Sequence, residues 1–196
     1  MTPENGEVRD YFNSIAGQWD QTNYCAPEKL RRIVELANVH PDDRVLDVAC
    51  GTGILVDFLL EKTDYVLGLD LSEKMIDIAR LKYKNSKAEF LCCDFYNFTG
   101  GPFDVVILHN AYPHFQNKEH LVIQAAHAVK PGGRFLVAHS MGREALNRVH
   151  GAKPGKISSR LRPAAEEAAL FSKCFCMDIV LDEPGFYCFS GLKRKE

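Results

Sequence analysis

The sequence predicts an α/β protein of the Rossmann-like, doubly wound kind: a mostly parallel sheet with helices on both faces and an antiparallel hairpin at its C-terminal end. Three observations predict it. Between residues 45 and 139, short apolar runs alternate with stretches of helical periodicity, the rhythm of parallel strands joined by crossover helices. The first run, Val45-Leu46-Asp47-Val48-Ala49, stops at Cys50-Gly51-Thr52-Gly53 and gives way to a helical stretch, which is a strand, a tight turn and a helix. The chain then closes on two alternating runs, 175–181 and 186–191, joined by Asp182-Glu183-Pro184-Gly185, a hairpin.

Taken in order, Val8, Tyr11, Phe12, Ile15 and Trp19 recur at helical spacing and predict an amphipathic helix over 7–16, ended near Gly17. A second helix spans 27–37, with Leu30, Ile33, Val34 and Ala37 on one face. After the Gly turn, 54–62 is helical and 65–70 is a strand. Ser72 then caps a helix that runs to Tyr83 with Met75, Ile76, Ile78 and Ala79 facing the sheet. Residues 88–92 and 103–108 are strands. A helix over 117–129 should bury Leu121, Ile123, Ala125, Ala126 and Val129, Pro131-Gly132-Gly133 turns the chain, and 134–139 is the fifth strand. From Met141 the pattern changes to a short helix (143–150), a Gly/Pro/Ser loop (151–163) and another helix (164–172).

At 196 residues the chain is read as one domain, 1–196, with an N-terminal helical segment (1–40) and a helical and loop insertion (141–173). The net charge of −2 gives no hint of nucleic-acid or membrane binding. The acidic N-terminus is unlike a signal peptide, and no apolar run approaches the ~18 residues of a membrane span, so a soluble cytoplasmic protein is expected. The oligomeric state is not legible. Seven cysteines without a C-x-x-C pair suit reduced thiols.

Gly51 and Gly53 allow a sharp bend and close approach to a ligand, and the helix behind them presents unpaired N–H groups. Asp70, at the end of the next strand, can take both hydroxyls of a ribose. A dinucleotide fingerprint needs a small third residue where Val56 stands, which counts against NAD, and no Lys or Arg lies between Asp47 and Phe58 to favour a phosphate. Val45 to Gly53 resembles, position by position, motif I of the class I S-adenosylmethionine-dependent methyltransferases. Gly68-Leu69-Asp70-Leu71-Ser72, Cys93-Asp94-Phe95, Phe103-Asp104-Val105-Val106 and Val129-Lys130-Pro131-Gly132-Gly133 fit the same family in the same order. The segment from Tyr11 to Asp20 is similar to the lid of the ubiquinone/menaquinone-biosynthesis type.

The resemblance implies S-adenosylmethionine as cofactor. Asp47 would hold the methionine amino group; Ala49, Gly51 and Gly53 would line the methionine and sugar. Asp70 would take the ribose, Leu71 the adenine face, and Asp94 with Phe95 the adenine edge, with His109 beside them. An acid-lined loop also suits a ligand carrying a sulfonium and an ammonium. Tyr11 and Trp19 would lie over the site as a lid, although core packing is the plainer role for the tryptophan.

Ligands of open α/β sheets bind outside the carboxyl ends of the strands, and there His109, Asn110, His114, His139 and His150 converge. Methyl transfer to a protonated nucleophile needs a base, and His114 is the first candidate, followed by His139 and His150; capping of strand ends is the plainer role for His109 and His139. The same histidines with Glu144 would permit a metal, but no closely spaced pair is present and none is expected. Arg143, Asn147 and His150 share a helix face, and residues 143–162 hold six basic groups against one acid: either a solvated loop or a cover whose Arg143 pairs with an anionic acceptor. Asn110-Ala111-Tyr112-Pro113-His114 lacks the Asn/Asp-Pro-Pro-Tyr/Phe of nucleic-acid and protein N-methyltransferases, so a small-molecule acceptor is expected, with Asn110 and Asn147 beside it.

Overall fold

A computed structural model describes residues 3–151 and 157–195, the side chains at 3, 4 and 150 excepted. Seven strands form one sheet: β1 (Arg44–Val48), β2 (Tyr65–Asp70), β3 (Glu89–Cys92), β4 (Phe103–His109), β5 (Val129–His139), β6 (Phe175–Glu183) and β7 (Phe186–Lys193). The spatial order is β3-β2-β1-β4-β5-β7-β6. The first five strands run parallel, and β7 lies antiparallel between β5 and β6 as the hairpin predicts. Strand order reverses between β1 and β4, so their carboxyl ends flank the crevice where such sheets take ligands.

The alternation of side chains sorts these strands into two cores. Leu46, Val48, Val106, Leu108, Phe135 and Val137 face one way and meet α6 (Lys118–Ala128) and α8 (Ala164–Phe171). Val45, Val105, Ile107, Leu136 and Ala138 face the other and meet α3 (Pro27–Ala37) and α4 (Val56–Leu60). Helix α5 (Glu73–Lys82) follows β2, with Ser72 Oγ accepting from Met75 N at 3.2 Å as its N-cap. The N-terminal segment is α1 (Pro3–Ile15), a 3₁₀ turn and α2 (Trp19–Thr22), and α7 (Arg143–Gly151) follows β5. Among the described residues no helix is long and apolar enough to cross a membrane.

Three expectations are corrected. The helix behind the Gly loop spans only Val56–Leu60, because Gly53 N→Cys50 O and Val56 N→Gly53 O keep the loop in tight turns as far as Leu55. Pro131-Gly132-Gly133 is not a turn before β5 but a bulge within it. Pairing jumps from Phe103–Val129 to Val105–Arg134, Gly132 takes φ +80°, and a Cβ on Gly133 would meet the Asp104 carbonyl at 2.6 Å. On α6 the buried face is Leu121, Val122, Gln124, Ala125 and Ala128, and Ile123 points outward, 54% exposed.

Candidate active site

Above the carboxyl ends of β1, β2 and β4 lies a cavity whose floor is the Gly loop. Ala49 (φ +55°) and Gly51 (φ +57°) both adopt the left-handed conformation, which turns the backbone sharply out of β1. Gly53 (φ +88°) does not line the cavity. Its bare α-carbon admits the Tyr83 ring, which a Cβ would meet at 2.7 Å.

Asp70 ties the floor together: its Oδ2 accepts from Gly51 N and its Oδ1 from Ser72 N, both at 2.8 Å. Asp47, on the neighbouring strand, is 1% exposed, and its Oδ2 has no hydrogen-bond partner. Burial, with Asp70 nearby, pushes Asp47 up to about 8. Burial likewise raises Asp70 to about 6, against the pull of its backbone N–H donors. A ligand that brings positive charge would favour the ionised form of these two buried acids, and the ammonium and sulfonium of S-adenosylmethionine fit that description.

The wall toward β3 holds Leu71, Asp94 and Phe95. Asp94 caps a 3₁₀ turn, its Oδ1 accepting from Tyr96 N at 3.0 Å and its Oδ2 from Asn97 Nδ2 and Asn5 Nδ2. The roof is α1 and α2. Trp19 packs directly on the Gly loop, its Nε1 3.5 Å from where a Cβ on Gly51 would stand. Tyr11 lines the same cavity, and Phe12 stands edge-on to both Trp19 (5.6 Å) and His114 (5.0 Å). Three further polar contacts fasten the roof: Asn13 Oδ1 accepts from Ser72 Oγ at 2.6 Å, and Asp20 accepts from Thr52 Oγ1 (2.5 Å) and Lys82 Nζ (2.9 Å).

The far wall comes from the end of β4. His109 is 7% exposed, burial lowers its basicity to about 4, and its Nε2 has no hydrogen-bond partner. Asn110, left-handed at φ +54°, exchanges hydrogen bonds with Ser140. His114 closes the next 3₁₀ turn, and its Nδ1 lies 2.8 Å from the Ile157 carbonyl. A carbonyl only accepts, so Nδ1 carries the hydrogen and the lone pair of the neutral ring resides on Nε2. Ser159 N and Oγ both donate to Pro113 O, and Asn147 pairs in both directions with the backbone of Leu161. Residues 157–161 therefore strap the turn that carries His114 to α7.

Several expected residues lie elsewhere. His139 is fully buried against Tyr187 and does not line the cavity, because the antiparallel pairing of β7 puts Tyr187 opposite it. Arg143 turns to Asp182 at 2.9 Å, and Asn147 is spent on the strap. The side chain of His150 lies outside the described residues. Helix α7 instead presents Leu146 and Val149, three apart on its apolar face, a spacing legible in the sequence but passed over for the polar face. Asn5 carries no local signal, its partner being 89 residues away, and for Asn13 and Asp20, inside the segment read as a lid, no local pattern marks the partners 59 and 32 residues off. Among the described residues, no group of three or more His, Cys, Asp or Glu side chains could hold a metal ion.

Strand order, Gly loop, the buried acid that ends β2 and the antiparallel strand beside β5 are those of the class I S-adenosylmethionine-dependent methyltransferases, which the chain resembles. The methyltransferase-domain family matches residues 46–137. The ubiquinone/menaquinone biosynthesis C-methyltransferase UbiE of Wigglesworthia glossinidia brevipalpis is 28% identical over 153 residues, covering 68% of this chain and 59% of that protein. The ubiquinone biosynthesis O-methyltransferase of Bordetella avium is 32% identical over 140 residues, covering 63% and 56%. The chain thus spans less than two thirds of the length of these curated relatives. The solved DhpI–SAH complex superposes with a TM-score of 0.76 at 20% identity, covering 100% of both chains. A putative methyltransferase of Haloferax volcanii, solved with its Trm112 activator, superposes at 0.77 with 19% identity over 96% and 98%. Those structures share the fold.

Proposed function

We propose that this protein transfers a methyl group from S-adenosylmethionine to a small-molecule acceptor, with His114 as general base. The observation that carries the reading is the pair of buried acids, Asp47 and Asp70, on the floor of the cavity, with Asp47 Oδ2 left without a partner. When bound, S-adenosylmethionine supplies a methyl group on a positively charged sulfur. Asp47 holds the ammonium end, Asp70 the ribose, and Leu71, Asp94 and Phe95 the adenine; Ala49 and Gly51 keep the backbone close enough for all of them. Trp19, Tyr11 and Phe12 exclude water from above. His114 orients and deprotonates the acceptor through Nε2, while Nδ1 stays fixed on Ile157 O. The two relatives named above, both acting in quinone biosynthesis by their names, support a small-molecule acceptor.

Calorimetric titration with S-adenosylmethionine, its demethylated product and NAD, on the parent and on Asp70→Ala, tests the reading. Micromolar binding of the first two that is lost in the variant is the expected result. Binding of NAD alone, or of none of the three, overturns it.

A further inference from the structure

Behind the wall that carries His114 stands a buried carboxylate that the proposed transfer does not use. Glu167, on α8, is 2% exposed. Its Oε2 accepts from Tyr112 Oη at 2.6 Å and from Arg162 Nη2 at 3.1 Å, and its Oε1 from Arg162 Nε at 3.1 Å and the Arg162 backbone N–H at 3.3 Å. A carboxylate out of water is costly unless donors meet it, and here two residues do so. Burial pushes the Glu167 carboxyl upward, but the bonds from Arg162 and Tyr112 outweigh it and hold the group below its ordinary range. Glu167 is therefore an anion near neutral pH.

The two donors begin and end the segments that frame His114. Tyr112, fully buried, opens the 3₁₀ turn that His114 closes. Arg162 follows Leu161 at the end of the strap, and its carbonyl accepts from Tyr187 Oη at 3.2 Å. The same turn and strap are joined again by His114 Nδ1 on Ile157 O and by Ser159 on Pro113 O. Any slip of the strap along the turn must therefore stretch charge-assisted bonds at Glu167. The carboxylate itself is anchored, because Ala164, Ala168 and Phe171 bury one face of α8 in the core. Tyr112 and Glu167 do not line the cavity, so their effect reaches it through the backbone of the turn.

We infer that Glu167 is a positioning residue for His114, an inference that rests on the reading of His114 as general base. By gathering Tyr112 and Arg162 on one carboxylate, it fixes the turn against the strap and keeps the hydrogen of the neutral ring on Nδ1, facing Ile157 O. An imidazole released from that carbonyl shares its hydrogen between both nitrogens, and the form with hydrogen on Nε2 has no lone pair there to take a proton. A carboxylate that served packing alone would leave the ring unchanged.

The test is NMR of the ligand-free full chain, isotope-labelled at its histidine nitrogens, at about pH 8, where an ordinary imidazole is neutral. The His114 signals are assigned with His114→Gln. Tyr112→Phe removes one hydroxyl and keeps the ring, and Glu167→Gln removes the charge. In each, the share of His114 with hydrogen on Nε2 should rise at least about threefold and the Ser159 amide should exchange about tenfold faster, while the Met75 amide on α5 stays within about twofold. Arg162→Gln, on a half-exposed side chain, decides the matter if the buried changes unfold the chain. An unchanged His114 tautomer in the folded variants, or equal acceleration at Met75 and Ser159, overturns the inference. Failure of S-adenosylmethionine to bind in calorimetry would instead overturn the methyl-transfer reading and leave the tautomer result as it stands.

Discussion

The side-chain amide of Asn5 donates to Asp94 Oδ2 at 2.7 Å and so fastens the first helix to the turn after β3. Asn13 on Ser72 and Asp20 on Thr52 and Lys82 repeat the fastening further along. Asp94 and Ser72 line the cavity and Thr52 belongs to the Gly loop, so the roof is held largely by the wall and floor on which the cofactor is proposed to lie. Asp20→Ala should therefore raise the cofactor dissociation constant several-fold while lowering global stability by no more than about 1 kcal/mol, the usual range for a partly exposed ion pair. Titration calorimetry and denaturant unfolding of the same preparation separate the two effects.

Asp47 and Asp70 make the ligand-free protein sensitive to alkali. Both carboxyls have folded values above their unfolded ones, about 8 and about 6, so their contribution is present at acidic pH and is lost as pH rises from about 4 through those values. Asp47→Asn should match the parent near pH 4 and exceed it progressively toward pH 8, by up to about 1.4 kcal/mol per pH unit, then level off. Urea melts across that range read the slope directly. A cationic ligand reverses the effect, so cofactor binding near pH 7 should release protons, seen as a dependence of the calorimetric heat on the ionisation enthalpy of the buffer.

His114→Ala should lower kcat by roughly 10²- to 10⁴-fold, the range of a lost general base, and leave cofactor affinity within about twofold. Rapid-quench assays of methyl transfer beside cofactor titrations distinguish this from a general collapse of the site.

In the proposed reaction Asn147 is a positioning residue that acts through the strap. Asn147→Ala removes both hydrogen bonds to Leu161, at 2.9 and 2.8 Å, and should destabilise the fold by about 1–3 kcal/mol. It should lower kcat more than it raises KM for the acceptor, because the turn bearing His114 loses its brace. Asn147→Asp keeps an acceptor for Leu161 N but no donor, and should fall between the two.

Gly53→Ala introduces a Cβ at φ +88° and 2.7 Å from the Tyr83 ring, and a loss of about 1–3 kcal/mol is expected by thermal unfolding. The same change at Gly17, where a Cβ would meet nothing within 4 Å, should be neutral or slightly stabilising.

Where a signal is local, the sequence carried it. The apolar run into Gly51 and Gly53, the capping Ser72 and the alternation of the terminal hairpin each depend on neighbours in the chain, and each stands where expected. The bulge at Gly132 is not legible because Pro-Gly-Gly reads equally as a turn, and only the pairing with β4, Phe103 on Val129 and then Val105 on Arg134, decides between them. Histidines were misjudged for a related reason. His139 ends a strand as His109 does, yet the insertion of β7 beside β5 covers the one with Tyr187 and leaves the other on the cavity wall. Likewise Arg143 looked available until the hairpin brought Asp182 to it across 39 residues.

Trp19 has a further use. It is the single tryptophan of the chain, and its indole rests on the backbone turn at Gly51 and against the ring of Phe12. On the reading proposed above, arrival or departure of the cofactor at that turn should alter the polarity around one chromophore, against a background of tyrosines that can be avoided by choice of excitation wavelength. The protein thus carries its own optical reporter, placed where occupancy changes and at no remove from it. Stopped-flow emission could follow loading and release in real time, without label or coupled assay.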